Sequence, residues 1–251
     1  MNVLQLSSDI EVAHIGPSLE KGRLPSVFYF ALSAQESLEL EPFNQPAKYL
    51  AKQGIRVFSL DLPAHGPDLQ AIDAVGIWAE EFQEGRDPLA PFLKKVHFAF
   101  DALMEKGLIV REKIGLMGLS RGGLIAALLS AQYEVRSCLC FAPLTELTFA
   151  RAFKKSKEIP QAEIYNLTNH LDALCEKKIR IYIGNRDICI GTDKCYSLAW
   201  ELANAAFEKG LRSPPIELII SPSIGHLGHG TPKEIFESGA DWLGKTLGAI
   251  R

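Results

Sequence analysis

Short apolar runs alternate along this chain with segments whose apolar residues recur every three or four positions. Val27 to Leu32 (VFYFAL) is aromatic-rich and too short for a helix, so it reads as a buried strand. Ile55 to Leu60, Lys113 to Met117, Arg136 to Phe141, Ile179 to Ile183 and Ile216 to Ile220 repeat that signature. Asn2 to Leu6 and Ile10 to Ile15 add two short strands at the N-terminus. Helical spacing predicts helices over Ala47 to Gln53, Pro91 to Lys106, Gly122 to Tyr133, Asp193 to Lys209 and Lys233 to Leu247. Gly54 and Gly107 stop the first two, and Thr231-Pro232 opens the last.

Strands and helices in alternation predict an α/β domain: a mostly parallel sheet of about eight strands, covered on both faces. No repeat or low-complexity linker interrupts the rhythm, and 251 residues suit a single domain. Two intervals stand outside it. Pro143 to Lys178, with a helix-like part from Leu147 to Lys155, has the length of a short lid at most. Pro67 to Pro91, with Trp78 and Phe82, is the other candidate for a pocket wall. Ligands of such sheets bind beyond the carboxyl ends of the strands, so the residues after each strand are the ones to examine.

Charge narrows the partners. The net charge is −3, with Lys154-Lys155, Lys157 and Lys177-Lys178 as the densest basic spots, which read as solvated faces. Neither nucleic acid nor an anionic membrane is indicated. Met1 to Ile10 lacks the basic start and apolar stretch of a secretory signal, and no run of about 18 apolar residues occurs, so a cytoplasmic protein without a membrane span is expected. The five cysteines include no Cys-x-x-Cys pair, so free thiols are expected and no metal site.

The chemistry gathers at strand ends. The strand Lys113 to Met117 runs into Gly118-Leu119-Ser120-Arg121-Gly122-Gly123 and then directly into a helix. Gly-x-Ser-x-Gly in that setting is a nucleophile elbow: a sharp turn lifts the serine hydroxyl clear of the sheet, and small flanking residues let strand and helix approach. The helix N-terminus favours negative charge developing at the site. A serine hydroxyl needs a base, and only His226 and His229 directly follow the last predicted strand. His226, behind the flexible Gly225, is the preferred base and His229 the alternative. For the carboxylate that orients the base, Asp187 lies just past the strand Ile179 to Ile183, with Asp193 and Glu146 as alternatives.

These residues resemble landmarks of the α/β-hydrolase superfamily. Besides GLSRGG, Asp61-Leu62-Pro63-Ala64-His65-Gly66 is similar to the family's D-x-P-x-H-G segment, Gly184-Asn185-Arg186-Asp187 to its acid turn, and Gly225-His226-Leu227 to its histidine loop. The resemblance covers the chain from Val27 onward and implies Ser120, Asp187 and His226 as catalytic residues, with His65 structural. It implies an oxyanion hole made of backbone N–H groups, one from Arg121 and one from the loop after Val27 to Leu32. Many members carry His-Gly in that loop. Here Ala31-Leu32-Ser33-Ala34-Gln35 stands instead, with Ser33 the preferred donor and Leu32 the alternative. The Arg121 side chain is expected either in a structural salt link or against an anionic group of the substrate.

GLSRGG also resembles prolyl-oligopeptidase-like and dienelactone-hydrolase-like members. The large peptidases carry a propeller domain that this length excludes, and the dienelactone type uses cysteine where Ser120 stands. The implied activity is hydrolysis of a small or medium acyl ester, a small-molecule substrate, through a serine acyl-enzyme with no metal or organic cofactor. Thioester or amide hydrolysis, and a non-catalytic scaffold binding a ligand or protein, are the alternatives. The oligomeric state is left open.

Overall fold

The computed structural model describes residues 1–66, 69–154 and 159–248. Pro67 of one expected pocket wall, and Lys155 and Lys157 of the basic spots and lid interval, lie outside the described residues. Eight strands form one sheet: β1 (Asn2–Gln5), β2 (Glu11–Ile15), β3 (Leu24–Phe30), β4 (Arg56–Ser59), β5 (Ile109–Leu119), β6 (Ser137–Phe141), β7 (Ile179–Gly184) and β8 (Ile216–Ser221). Their order is β1-β2-β4-β3-β5-β6-β7-β8. The β1–β2 and β2–β4 pairs are antiparallel and every later pair is parallel, as expected for the class.

The central strands are buried on both faces, which is why they read as unbroken apolar runs. Along β3, Phe28 and Phe30 enter one core and Val27 and Tyr29 the other. Cys138 and Cys140 of β6 alternate with Leu139 and Phe141 in the same way. Helices α1 (Ala34–Glu39), α2 (Gln45–Lys52) and the C-terminal helix (Lys233–Thr246) cover the second core. The first is covered by α3 (Ala74–Gln83), α4 (Leu89–Glu105), α5 (Arg121–Gln132) and the long helix Thr192–Glu208. On α4 the buried set Phe92, Val96, Ala99, Phe100 and Leu103 follows the predicted spacing.

Three elements depart from the expected pattern. Helix α1 starts right after β3, where only a loop was anticipated, because Ser33-x-x-Glu36 forms a capping box. Helix α3 fills the middle of the Pro67 to Pro91 interval; its Trp78 and Phe82 are buried in the core. The expected helix from Leu147 to Lys155 breaks into a 3₁₀ turn (Leu147–Phe149) and one α-turn (Arg151–Lys154). The five cysteines are free thiols. Among the described residues, no helix is long and apolar enough to cross a membrane.

One buried cation ties the N-terminal segments to the sheet. Arg56, fully buried on β4, donates to the carbonyls of Pro17 (3.1 Å), Ser18 (2.7 Å), Gly22 (3.2 Å) and Leu108 (2.7 Å). Truncating it removes at once four hydrogen bonds from a charged donor, each worth about 1.5–3 kcal/mol. Arg56→Met is expected to destabilise the fold by about 3 kcal/mol or more. The check is urea unfolding followed by tryptophan fluorescence; an unchanged midpoint would contradict this role.

Candidate functional site

A sharp strand-to-helix turn carries Ser120 where the sequence predicts one. Strand β5 ends at Leu119 and α5 begins at Arg121, leaving Ser120 between them at φ 55°, ψ −121°. A non-glycine residue in that region is strained by roughly 1–3 kcal/mol and needs its surroundings to hold it. They do: the Ser120 N–H donates to the Phe141 carbonyl (2.9 Å), and its carbonyl accepts from the N–H of Gly123 (2.9 Å) and Leu144 (3.0 Å). The flanking glycines are required by contact. A Cβ on Gly118 would lie 2.1 Å from the Gly122 carbonyl oxygen, and one on Gly122 would lie 1.9 Å from that of Phe30.

Asp187 follows β7 and is buried. Its Oδ1 accepts from the N–H groups of Cys189 and Ile190, both at 3.0 Å, which fixes the carboxylate plane. Its own N–H donates to Oγ1 of Thr192 (2.9 Å), whose hydroxyl donates to the Gly184 carbonyl (2.6 Å). The alternatives are committed elsewhere. Glu146 pairs with Lys194 at 3.1 Å, and Asp193 is exposed in the first turn of the helix after Asp187.

The histidine is where sequence and structure part. His229, not the preferred His226, joins the two groups: its Nδ1 lies 2.6 Å from Asp187 Oδ2 and its Nε2 lies 2.9 Å from Ser120 Oγ. After β8 the chain makes a 3₁₀ turn over His226–Gly228, closed by the His229 N–H on the His226 carbonyl (3.0 Å). Gly225 at φ 74° and Leu227 at φ 54° complete the reversal. The turn leaves the His226 ring exposed to solvent and delivers His229 three residues later. Both histidines follow a glycine, so the local signal was the same for each. The loop is tied to the acid turn: Ser223 Oγ accepts from the Arg186 N–H (2.7 Å), Asn185 Oδ1 from the Ser223 N–H (3.0 Å), and the Leu227 carbonyl from the Ile188 N–H (3.0 Å).

Of the two N–H groups expected as oxyanion donors, one has no acceptor among the described residues and one is occupied. The Arg121 N–H stands at the start of α5 with no acceptor among the described residues. The Ser33 N–H donates instead to Glu36 Oε2 (3.2 Å), and the Ser33 hydroxyl donates to the same oxygen (2.7 Å). The alternative, the Leu32 N–H, donates to Ser37 Oγ (3.0 Å). The capping box that starts α1 takes the donor that a less helical loop would leave free. Its signature, Ser33 followed three residues later by Glu36, was visible in the sequence.

His65 has a local role, as expected. Its Nδ1–H donates to the Pro63 carbonyl (2.9 Å), leaving the Nε2 lone pair to face Arg121 Nη1 at 3.3 Å. Burial, then the Arg121 charge, lowers its pKa and holds the ring neutral. Among the described residues, no cluster of His, Cys, Asp or Glu could hold a metal ion.

No protein-family model matches the chain. Esterase YjfP of Escherichia coli (strain K12) is 22% identical over 218 residues, covering 80% of this chain and 84% of that protein. Among solved structures, TT1662 from Thermus thermophilus matches with a TM-score of 0.68 at 17% identity, covering all of both chains. An S-formylglutathione hydrolase from Agrobacterium tumefaciens matches with a TM-score of 0.62 at 15% identity, covering 96% of this chain and 90% of the other. With the strand order and elbow above, the chain has the α/β-hydrolase fold.

The contact between Gly122 and Phe30 is backbone against backbone, so no side-chain rotation relieves a larger residue there. Gly122→Ala is expected to cost more than about 3 kcal/mol, beyond ordinary core overpacking. Thermal unfolding of the variant checks this, and a melting temperature within a degree or two of wild type would refute the packing argument.

Proposed function

We propose that the protein is a serine hydrolase that cleaves small or medium acyl esters through a Ser120 acyl-enzyme. The observation that carries this reading is the unbroken relay from Asp187 through His229 to Ser120, with spacings of 2.6 and 2.9 Å. His229 Nε2 takes the hydroxyl proton as Ser120 Oγ bonds to the substrate carbonyl carbon. Collapse of the tetrahedral intermediate breaks the ester C–O bond, and the His229 proton passes to the leaving alkoxide. Water then attacks the acyl-enzyme, gives a proton to His229 and releases the acid, and Ser120 recovers its proton. Asp187 orients the ring and stabilises the imidazolium.

The developing oxyanion meets the Arg121 N–H and the positive end of α5. A second donor requires the Ser33 N–H to leave Glu36. Ester hydrolysis is favoured by likeness to Esterase YjfP, which aligns with 80% of the chain.

Fluorophosphonate labelling is the direct test. Wild type is expected to label, Ser120→Ala not at all, and His229→Ala more slowly by about 10⁴-fold. His226→Ala is expected to label at the wild-type rate. Failure of the folded wild type to label would refute the reactive serine, and loss of labelling in His226→Ala with retention in His229→Ala would reverse the base assignment.

A further inference from the structure

The sheet ends at β8 with one edge open. Among the described residues β8 pairs only with β7, in unbroken register from Ile216 to Ser221. The Ile179 N–H donates to the Pro215 carbonyl (3.0 Å) and the Asn185 N–H to that of Ser221 (2.7 Å). The odd-numbered residues of β8 therefore turn their main-chain groups to β7. Those of Ile216, Leu218 and Ile220 point outward, away from the sheet. Such edges are usually blunted by lysine, proline or a bulge, and β8 (IELIIS) has none of these. Its one charged side chain, Glu217, is held by Arg180 and by Trp242 Nε1 (3.2 Å).

A second exposed feature runs along the same edge. The long helix Thr192–Glu208 packs on β7 and β8 and buries Cys195, Leu198, Leu202 and Ala206. One flank turns inward, toward the segments around β6 and β7. There Lys194 pairs with Glu146 (3.1 Å) and, just past the helix, Lys209 with Glu176 (3.3 Å). At 3.6 residues per turn, Tyr196, Trp200 and Phe207 fall on the other flank, which faces past β8. They are 54%, 59% and 65% exposed, and Ile220 of β8 is 49% exposed. Residues 159–248 are all described, so the helix, β8 and the chain joining them are complete. The three aromatic side chains leave roughly 350 Å² in water. That is nearly half of the roughly 800 Å² that each partner contributes to a stable interface, and the strand edge adjoins it.

We propose that β8 is the seam of a homodimer, in which β8 of a second copy pairs with it antiparallel across a two-fold axis at Leu218. The outward main-chain groups are spaced symmetrically about Leu218. Ile216 of each copy then faces Ile220 of the other, Leu218 faces its own equivalent, and every outward N–H meets a carbonyl. With the axis normal to the sheet, the two long helices lie on the same face and their aromatic flanks meet over the seam. An extended peptide from another protein would satisfy the strand but leave Trp200 and Phe207 in water. A second copy covers both. The pairing is independent of the hydrolase reading.

Sedimentation equilibrium of the full chain is expected to show two copies at micromolar concentration. The double variant Trp200→Glu with Phe207→Glu is expected to raise the dissociation constant at least about 30-fold. Both positions are exposed, so its far-UV circular dichroism is expected to match wild type. Ile220→Lys puts a charge on the open edge, is expected to weaken the dimer as well, and serves if the double variant misfolds. Amide hydrogen exchange reads the seam directly. The N–H groups of Ile216, Leu218 and Ile220 are expected to be protected in the dimer and to exchange at least about 10-fold faster in a monomeric variant. Those of Glu217 and Ile219, on the β7 side, are expected to stay protected in both. A wild-type chain that is monomeric at about 100 μM overturns the proposal. So does a dimer that survives these variants, or one in which the three outward amides exchange freely.

Discussion

The backbone contact between α5 and β3 is the constraint on which the rest of the site depends. Only a hydrogen at Gly122 Cα allows the first turn of α5 to lie against the Phe30 carbonyl. That approach fixes the angle at which the chain leaves β5, and so the positive φ of Ser120. The strain is offset by burial of the helix, whose Leu124, Ile125, Leu128 and Leu129 are sealed in the core. Each such side chain contributes about 1.5–3 kcal/mol, which exceeds the strain of one residue. Neighbouring strands then hold the serine by its backbone, through Phe141 at the end of β6 and Leu144 just beyond.

The other half of the site hangs on a different frame. Asp187 and His229 belong to the loops after β7 and β8, the last two strands of the sheet. Those loops are cross-linked through Asn185, Ser223, Ile188 and Leu227 before either reaches Ser120. The acid and the imidazole are thus set against each other first. Their shared unit meets the serine through one hydrogen bond of 2.9 Å. Both β7 and the half of β5 that leads into the elbow are buried, which keeps the two frames in fixed relation.

How much of this was legible in the sequence follows from how local each determinant is. Ser120 and Asp187 lie within a few residues of a strand end, so the strand pattern places them without knowledge of the tertiary fold. The histidine is eight residues past the end of β8, and its placement turns on a 3₁₀ reversal with two left-handed residues, Gly225 and Leu227. A leucine in that conformation is not a turn signal, so His226 and His229 could not be ranked by pattern. Helix α3 was hidden by Gly76 and by the turn residues around it. Strand β5 runs further than its apolar part because its first half, with exposed Arg111, Glu112 and Lys113, bulges between the pairing of Ile109 with Leu24 and that of Ile114 with Ser26. At Ser33 two signals compete for one N–H: the capping residue Glu36 three positions on, and the family's loop pattern.

That last conflict bears on the proposed chemistry. A carboxylate and a tetrahedral oxyanion want the same N–H, so recruiting Ser33 means breaking a charge-assisted bond of about 1.5–3 kcal/mol. An oxyanion-hole donor contributes about 2.7–4 kcal/mol in the transition state. The exchange is favourable by only about 1 kcal/mol, since the protein must give up one anion contact to make another. In the proposed mechanism the Arg121 N–H, which has no competing acceptor among the described residues, would make its contribution without that exchange, so the weight of charge stabilisation would fall on it.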